Sequence, residues 1–421
     1  MQINNNRSWI QKLPFYYGWI IVLISALTLF ASSPGQTYVN SIFVDPMLTE
    51  LEWSRTTYSA MYTVGSLVAA LAMVFVGKSL DKFGARILLP FLCIAMFFAT
   101  FWMSNVNTAV QLLVGFAMLR TIGQGSMSLV GTNMVSNWFV KKRGIATGIA
   151  SWGQGISLLT MPILAHILIQ NFGWRNTWTI FGALVNILLL PFAILFVRDK
   201  PEKIGLLPDG AVTLNQELSN ENRIKENAYT LKEAMQTRVF WTLIASGVAN
   251  PMIITGLHFH HISILMSKGV PLTLAVTTMG LFGPINLVFN LITGYLADRI
   301  SNRILMAIGQ FGIALTLISI LYINQPWHSF IYILISSISM SMFNTSYTVI
   351  WANYFGRKSL GSIRGFSATT MVTFAAFGAL PFGFIYDRTL SYDQAALFLL
   401  FIPLICCIFC ILSIPPPVKT D

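Results

Sequence analysis

The feature that most constrains this chain is a series of about twelve apolar runs, each of membrane-spanning length, separated by short charged loops. A hydrocarbon core of about 30 Å is crossed by about 20 helical residues. Backbone polar groups inside it must be satisfied internally, which restricts spanning elements to helices and closed barrels. The runs cover residues 16–38, 56–76, 87–104, 109–137, 144–170, 174–197, 239–266, 272–297, 304–323, 328–353, 364–386 and 394–414. Composition agrees: the 421 residues are 55% hydrophobic and only 10% charged, whereas soluble domains carry about 25% charged residues. The expected fold is therefore an all-α membrane protein of twelve transmembrane helices.

Charge sets the expected orientation. With the N-terminus in the cytoplasm, only Arg55, Arg175, Lys268 and Arg388 fall on the far side, Arg120 lies within a span, and the other twenty-one of 26 Lys and Arg are cytoplasmic. That asymmetry follows the positive-inside rule. The net charge of +11 is thus explained by topology and calls for no nucleic-acid partner, and both termini are placed in the cytoplasm of a cell bounded by this plasma membrane. Arg7 and Lys12 precede a hydrophobic run as in a secretory signal, but no small-residue cleavage site follows, so the run reads as an uncleaved first span. Cys93, Cys406, Cys407 and Cys410 all fall in apolar spans, where a C-x-x-C spacing reads as helix packing and not as a metal or redox site.

Two hydrophilic loops expose an internal repeat. Gly77-Lys-Ser-Leu-Asp81-Lys82-Phe-Gly84-Ala-Arg86 lies between spans two and three, and Gly294-Tyr-Leu-Ala-Asp298-Arg299-Ile-Ser-Asn-Arg303 between spans eight and nine. Their offset is 217 residues; a second pair, Asn137-Trp-Phe-Val-Lys141-Lys142 and Asn353-Tyr-Phe-Gly-Arg357-Lys358, gives 216. One offset from two loops argues for two pseudo-symmetric six-helix halves, residues 1–197 and 239–421. Residues 198–238 join them as a mobile cytoplasmic linker holding Asp199, Glu202, Asp209, Glu217, Glu221, Glu226 and Glu233, with LKEAMQTRVFW at its end as a short surface helix.

With these residues in place, the chain resembles the major facilitator superfamily over nearly its whole length. Gly77, Asp81, Lys82, Gly84 and Arg86 match that family's best-known loop signature; the second copy has Ser301 where Gly84 stands in the first. The resemblance implies a gate: small glycines let helix ends approach, and the Asp and basic residues can pair or cap across the cytoplasmic face. Within the family the chain is most similar to the monocarboxylate and oxalate/formate porters, through Tyr17-Gly18-Trp19, Trp53-Ser54-Arg55, Arg120-x-x-Gly123-Gln124-Gly125, Trp138-Phe139 with Arg143-Gly144, and Gly173-Trp174-Arg175. Several animal members of that group carry an Asp and an Arg four residues apart in the eighth helix; this chain has Asn286 and Asn290.

The expected site centres on Arg120. With the fourth helix starting near Thr108, it lies about 18 Å deep, near the bilayer midplane. Burying a cation there costs about 2.5 to 3.5 kcal/mol, yet all fifteen acids fall in loops or at span ends. A planar guanidinium matches a carboxylate through two parallel hydrogen bonds, so an organic anion is the expected ligand. The alternative is a structural arginine bonded to Gln124, Asn133 or backbone carbonyls. Asn286 and Asn290 share one helix face at a similar depth, either lining the same cavity or bonding neighbouring helices. His258, near His260 and His261, is a vestibule candidate; Gln36, Tyr38, Asn344 and Tyr347 complete the candidate lining.

Other classes fit less well. Gly77-Lys78-Ser79 ends like a phosphate-binding loop, but Ala72 stands where the first glycine belongs. No cluster of acids, His or Cys at facing depths suggests an enzyme or a metal site, and no cofactor is expected. The Gly-Pro and Gly-Gly pairs typical of drug exporters are missing from span five, which carries Gly144, Gly148, Gly153, Gly155 and Pro162. The reading that fits best is a monomeric secondary or facilitated transporter of a small organic anion, a monocarboxylate, with a proton as the candidate co-substrate, alternating access around a midplane site. A proton-coupled exporter or a transporter-like sensor is the alternative.

Overall fold

The structure, a computed structural model, describes residues 14–210 and 227–419, apart from the side chains of residues 55, 56 and 379. Arg7, Lys12, Glu217, Glu221, Arg223, Lys225, Glu226, Asp421 and the side chain of Arg55 lie outside the described residues.

Among the described residues every regular element is helical. Ten stretches are long and apolar enough to cross a membrane. One of them, Arg143–Phe196, spans 54 residues and breaks at Gly173, whose φ of +75° is open to glycine and strained for other residues, so it forms two helices. Residues 109–138 supply a further span as a continuous α, π and α helix. The twelve spans are α1 (Gly18–Ala31), α2 (Arg55–Phe83), α3 (Ala85–Ser104) and α4 (Ala109–Leu119, Arg120–Met127 and Ser128–Trp138). Then come α5 (from Arg143) and α6 (to Phe196), parted at Gly173, and α7 (Arg238–Ser246 and Ala249–Ser267) and α8 (Leu272–Ala297). Last are α9 (Asn302–Leu321), α10 (His328–Phe355), α11 (Leu360–Ala376 and Ala379–Thr389) and α12 (Tyr392–Leu399 and Phe401–Leu412).

Local chemistry sets several boundaries. Thr108 and Gln111 form a reciprocal capping box that fixes the start of α4. The first span was expected to run to residue 38, but α1 stops at Ala31 and gives way to a 3₁₀ turn, Ser33–Gly35, because Pro34 has no N–H to continue the helix. α11 starts at Leu360, four residues before the expected 364.

The apolar core divides with the sequence. One buried cluster draws its residues from 17–197; two others draw theirs from 229–410. Between the halves, α2 packs along α11 and α5 along α8. The linker's described ends are tied down and not free. Asp199 accepts the Arg86 N–H (3.0 Å), Glu202 pairs with Arg357 (2.8 Å), and Asp209 accepts the N–H groups of Val140, Lys141 and Lys142. On the far side of the linker, Tyr229 donates its N–H to Phe355 O (3.1 Å). The helix expected at its end is present as Leu231–Met235, capped by Thr230 and Glu233. Lys419, by its hydrogen bond, holds the Glu233 carboxyl down to about 2.

Candidate functional site

Two pairs of glycines bring the halves together on the linker side. A methyl group on Gly77 would overlap the carbonyl oxygen of Gly361, and one on Gly144 would overlap that of Gly294, so backbones touch where any larger residue would hold them apart. Beside each contact an aspartate caps the opposite half. Asp81 accepts the N–H groups of Gly361 and Ser362 (2.7 Å each); Asp298 accepts those of Gly144 (2.5 Å) and Ile145 (2.9 Å). These are the unsatisfied donors at the starts of α11 and α5, and a carboxylate also suits the positive end of the helix dipole. The 217-residue offset maps Asp81 onto Asp298 and Gly144-Ile145 onto Gly361-Ser362, so the two contacts are one arrangement used twice. Arg143 donates to Asn353 Oδ1 and Arg357 to Asn137 O (2.7 Å), adding a crosswise pair. Further in, Trp152 donates to Leu287 O (2.9 Å) and Thr369 to Ala70 O (2.8 Å). Among the described residues, no hydrogen bond joins the two halves at the opposite ends of the helices.

Arg120 lies about 17 Å along α4 and is 2% exposed. It opens a π-helical segment, Arg120–Met127, a local widening that is frequent at functional sites. Gly35 and Gly123 approach so closely that a side chain on either would strike the other's backbone. That contact brings the end of α1 against the guanidinium. Nη1 donates to Thr37 Oγ1 (3.1 Å) and Gly35 O (3.4 Å). The Tyr62 ring of α2 lies under the guanidinium at 4.9 Å, and its hydroxyl is 2.7 Å from that of Thr37. The other edge is free. Nε is buried without a partner, and among the described residues the hydrogen bonds of the guanidinium all come from Nη1. The ion pairs among the described residues do not include Arg120. A guanidinium has five N–H donors, and the unused Nε/Nη2 edge is one of the faces that grips a carboxylate through two parallel bonds. Gln124, four residues on, leaves its Oε1 buried and unbonded.

The sequence model of the Major Facilitator Superfamily matches residues 25–379. The chain belongs to this superfamily. It is a multi-pass membrane transporter and not an enzyme. It is 21% identical over 295 residues to the uncharacterized MFS-type transporter YhjX of Escherichia coli, covering 69% of each chain. It is 24% identical to the chloroplastic ascorbate transporter of Arabidopsis thaliana, covering 93% of this chain and 73% of that one. It is 26% identical to the oxalate:formate antiporter of Oxalobacter formigenes, over 52% of this chain and 49% of the other. The fold is that of the proton:xylose symporter XylE bound to 6-bromo-6-deoxy-D-glucose, with a TM-score of 0.75 at 14% identity over 96% of this chain and 97% of that one.

The other expected site residues of the transporter fall in distinct places. Asn286 donates to Phe282 O and accepts from Ser341 (2.8 Å each), and Asn290 accepts from Thr345 (3.4 Å). They do share a face, and that face is covered by α10, so these amides join helices and make no contact with Arg120. Tyr38 bonds Ser157 (2.9 Å) and Gln36 bonds Ser32 (3.1 Å), both within the first half. Tyr347 is buried on Ser367 of α11 (2.8 Å). Asn344 is half-buried in α10, and its side-chain amide forms no hydrogen bond among the described residues. His258 packs edge-on against Phe282 with ring centroids 4.3 Å apart, and its Nε2 is buried without a partner. Of the loop cations, Lys82 lies over Phe83 and Arg299 over Tyr295, so neither side chain crosses to the other half.

Three residues escaped sequence reasoning. Thr37 and Tyr62 sit in the expected first and second spans, and no spacing in the sequence ties either of them to Arg120. Arg364 was counted with the cytoplasmic loop cations, but it lies one turn inside α11, forms no ion pair among the described residues, and buries an Nη1 without a partner. The repeat carried the signal: Arg143 opens α5, and an offset of 217 puts the start of α11 at Leu360.

Proposed function

We propose that the chain carries a small organic anion, a monocarboxylate in the simplest case, across the plasma membrane by alternating access, with both termini and the linker in the cytoplasm. The observation that supports this is the free Nε/Nη2 edge of Arg120, a buried permanent cation with no carboxylate of its own. In this reading the anion is the missing partner, held in two parallel charge-assisted bonds. Arg364 and the free amide of Asn344, from the second half, would add contacts that differ between the two gating states, while Gln36, Tyr38, Tyr347, Asn286 and Asn290 would shape the site from behind. The paired glycines and their capping aspartates would form the closed cytoplasmic gate of such a cycle. No acid lies in the middle of a described span. A co-transported proton would therefore ride on the substrate's own carboxyl group or on His258.

The relatives lend this reading chemical range, since their names include ascorbate and oxalate:formate carriers. It places the chain near the monocarboxylate and oxalate/formate porters. The test is uptake of radiolabelled monocarboxylates, dicarboxylates and neutral sugars into vesicles holding the purified protein. Uptake of a carboxylate, competed by other carboxylates and lost in Arg120→Gln, supports the reading. Transport of a neutral sugar or a cationic dye, unaffected by Arg120→Gln, overturns it.

A further inference from the structure

A groove of about 600 Å³ lies on the linker side between the two halves, with α2 as one wall and the Leu231–Met235 helix and the start of α7 as the other. Lys78 comes from α2, and Lys232 and Trp241 from the opposite wall; Leu231 and Met235 add apolar surface between the charged and polar lining groups. Both lysines are exposed, and neither belongs to an ion pair among the described residues, unlike Lys203, Lys419 and Arg357 on the same side of the molecule. The indole N–H of Trp241 is satisfied by Met235 O (2.8 Å). Its half-exposed ring, 48% accessible, therefore offers an apolar surface with no unmet donor.

The groove opens toward lipid. Leu71 and Phe75 are 69% and 70% exposed, and residues three and four apart share a helix face, so Lys78 ends a stripe of α2 that faces the acyl chains. Trp and Lys at this level are the residues that settle at the boundary of hydrocarbon and headgroups. We propose that this groove binds an anionic phospholipid of the leaflet on the linker side. Its phosphate lies between Lys78 and Lys232, and its chains run along Leu71, Phe75 and Trp241. One wall belongs to the first half and the other to the linker helix packed on the second half, and Lys78 adjoins Gly77, which touches Gly361. The lipid therefore bridges the halves only while the gate is latched, and it favours that state.

The test uses the purified full-length protein in detergent, with melting followed as lipid is added. Phosphatidylglycerol is expected to raise the melting temperature, while phosphatidylcholine of the same chain length and soluble glycerol phosphate are not. Each lysine near an anionic headgroup is worth about fivefold in affinity, so Lys78→Gln with Lys232→Gln should weaken the phosphatidylglycerol response roughly twentyfold. The double variant's melting in phosphatidylcholine should stay unchanged, and Lys82→Gln, outside the groove, should leave the response intact. Gly144→Val, which unlatches the gate elsewhere, should weaken the response as well. Equal responses to the two lipids, a response to glycerol phosphate alone, full affinity in the double variant or full affinity in Gly144→Val would each overturn the proposal.

Discussion

At the linker-side end of the bundle, Asp81, Asp298 and Asp209 each meet backbone N–H groups, and Glu202 meets Arg357. About 17 Å along α4, Arg120 keeps half of its guanidinium unbonded, and Arg364 buries an unmatched Nη1. The first region gains stability by satisfying its charges. The second retains a cost of about 2.5 to 3.5 kcal/mol per intramembrane cation, a cost that an arriving anion would relieve. The two regions should therefore respond in opposite ways to losing a charge.

The largest contrast is expected at Arg120. Arg120→Gln should lower uptake a hundredfold or more, because charge-assisted bonds are worth about 1.5 to 3 kcal/mol each and two are lost. The same change removes an unpaired buried charge, so the melting temperature of the empty protein should hold or rise. A fall in melting temperature together with uptake would mark Arg120 as a structural residue. Next comes Gly144→Val, whose side chain cannot fit against Gly294. Uptake should drop about tenfold as the overpacked contact loses about 1 to 3 kcal/mol, and a reactive probe on α5 near the gate should become accessible from the linker side. Asp81→Asn and Asp298→Asn should each act more mildly, since an amide oxygen can still accept one N–H. Loss of the carboxylate's interaction with the helix end is worth about 0.3 to 2 kcal/mol, and the related latches should give similar several-fold shifts in probe accessibility. A large effect in one and none in the other would break the symmetry argued from the 217-residue offset. The smallest effect is expected at Asn286→Ala: about 0.6 kcal/mol of stability, the average for a hydrogen bond between membrane helices, with substrate affinity unchanged. A tenfold loss of affinity there would return Asn286 to the substrate site.

Much of this was legible in the sequence, for identifiable reasons. α8 was expected over 272–297 and is found there, because an unbroken apolar run between charged loops leaves few other boundaries. The repeated Asp, spaced four residues from its Gly, marked both places where the halves touch, since the spacing puts the two on one helix face. What periodicity cannot say is which neighbour covers a face: Asn286 and Asn290 share one, but α10 occupies it. Arg364 was hidden by its closeness to Arg357 and Lys358, which made it read as one more loop cation. The contact of Gly35 with Gly123, which delivers Thr37 to Arg120, depends on the end of α1 breaking at Pro34 and on α4 widening into a π segment. Neither leaves a periodic trace in the residues.

The most direct measurement is substrate affinity of purified Arg120→Lys beside the wild type. A lysine keeps the positive charge but presents a point donor instead of a planar fork. If the free edge of Arg120 grips a carboxylate, Arg120→Lys should bind the transported anion at least tenfold more weakly while melting like the wild type. Unchanged affinity in Arg120→Lys and in Arg120→Gln alike would contradict the account.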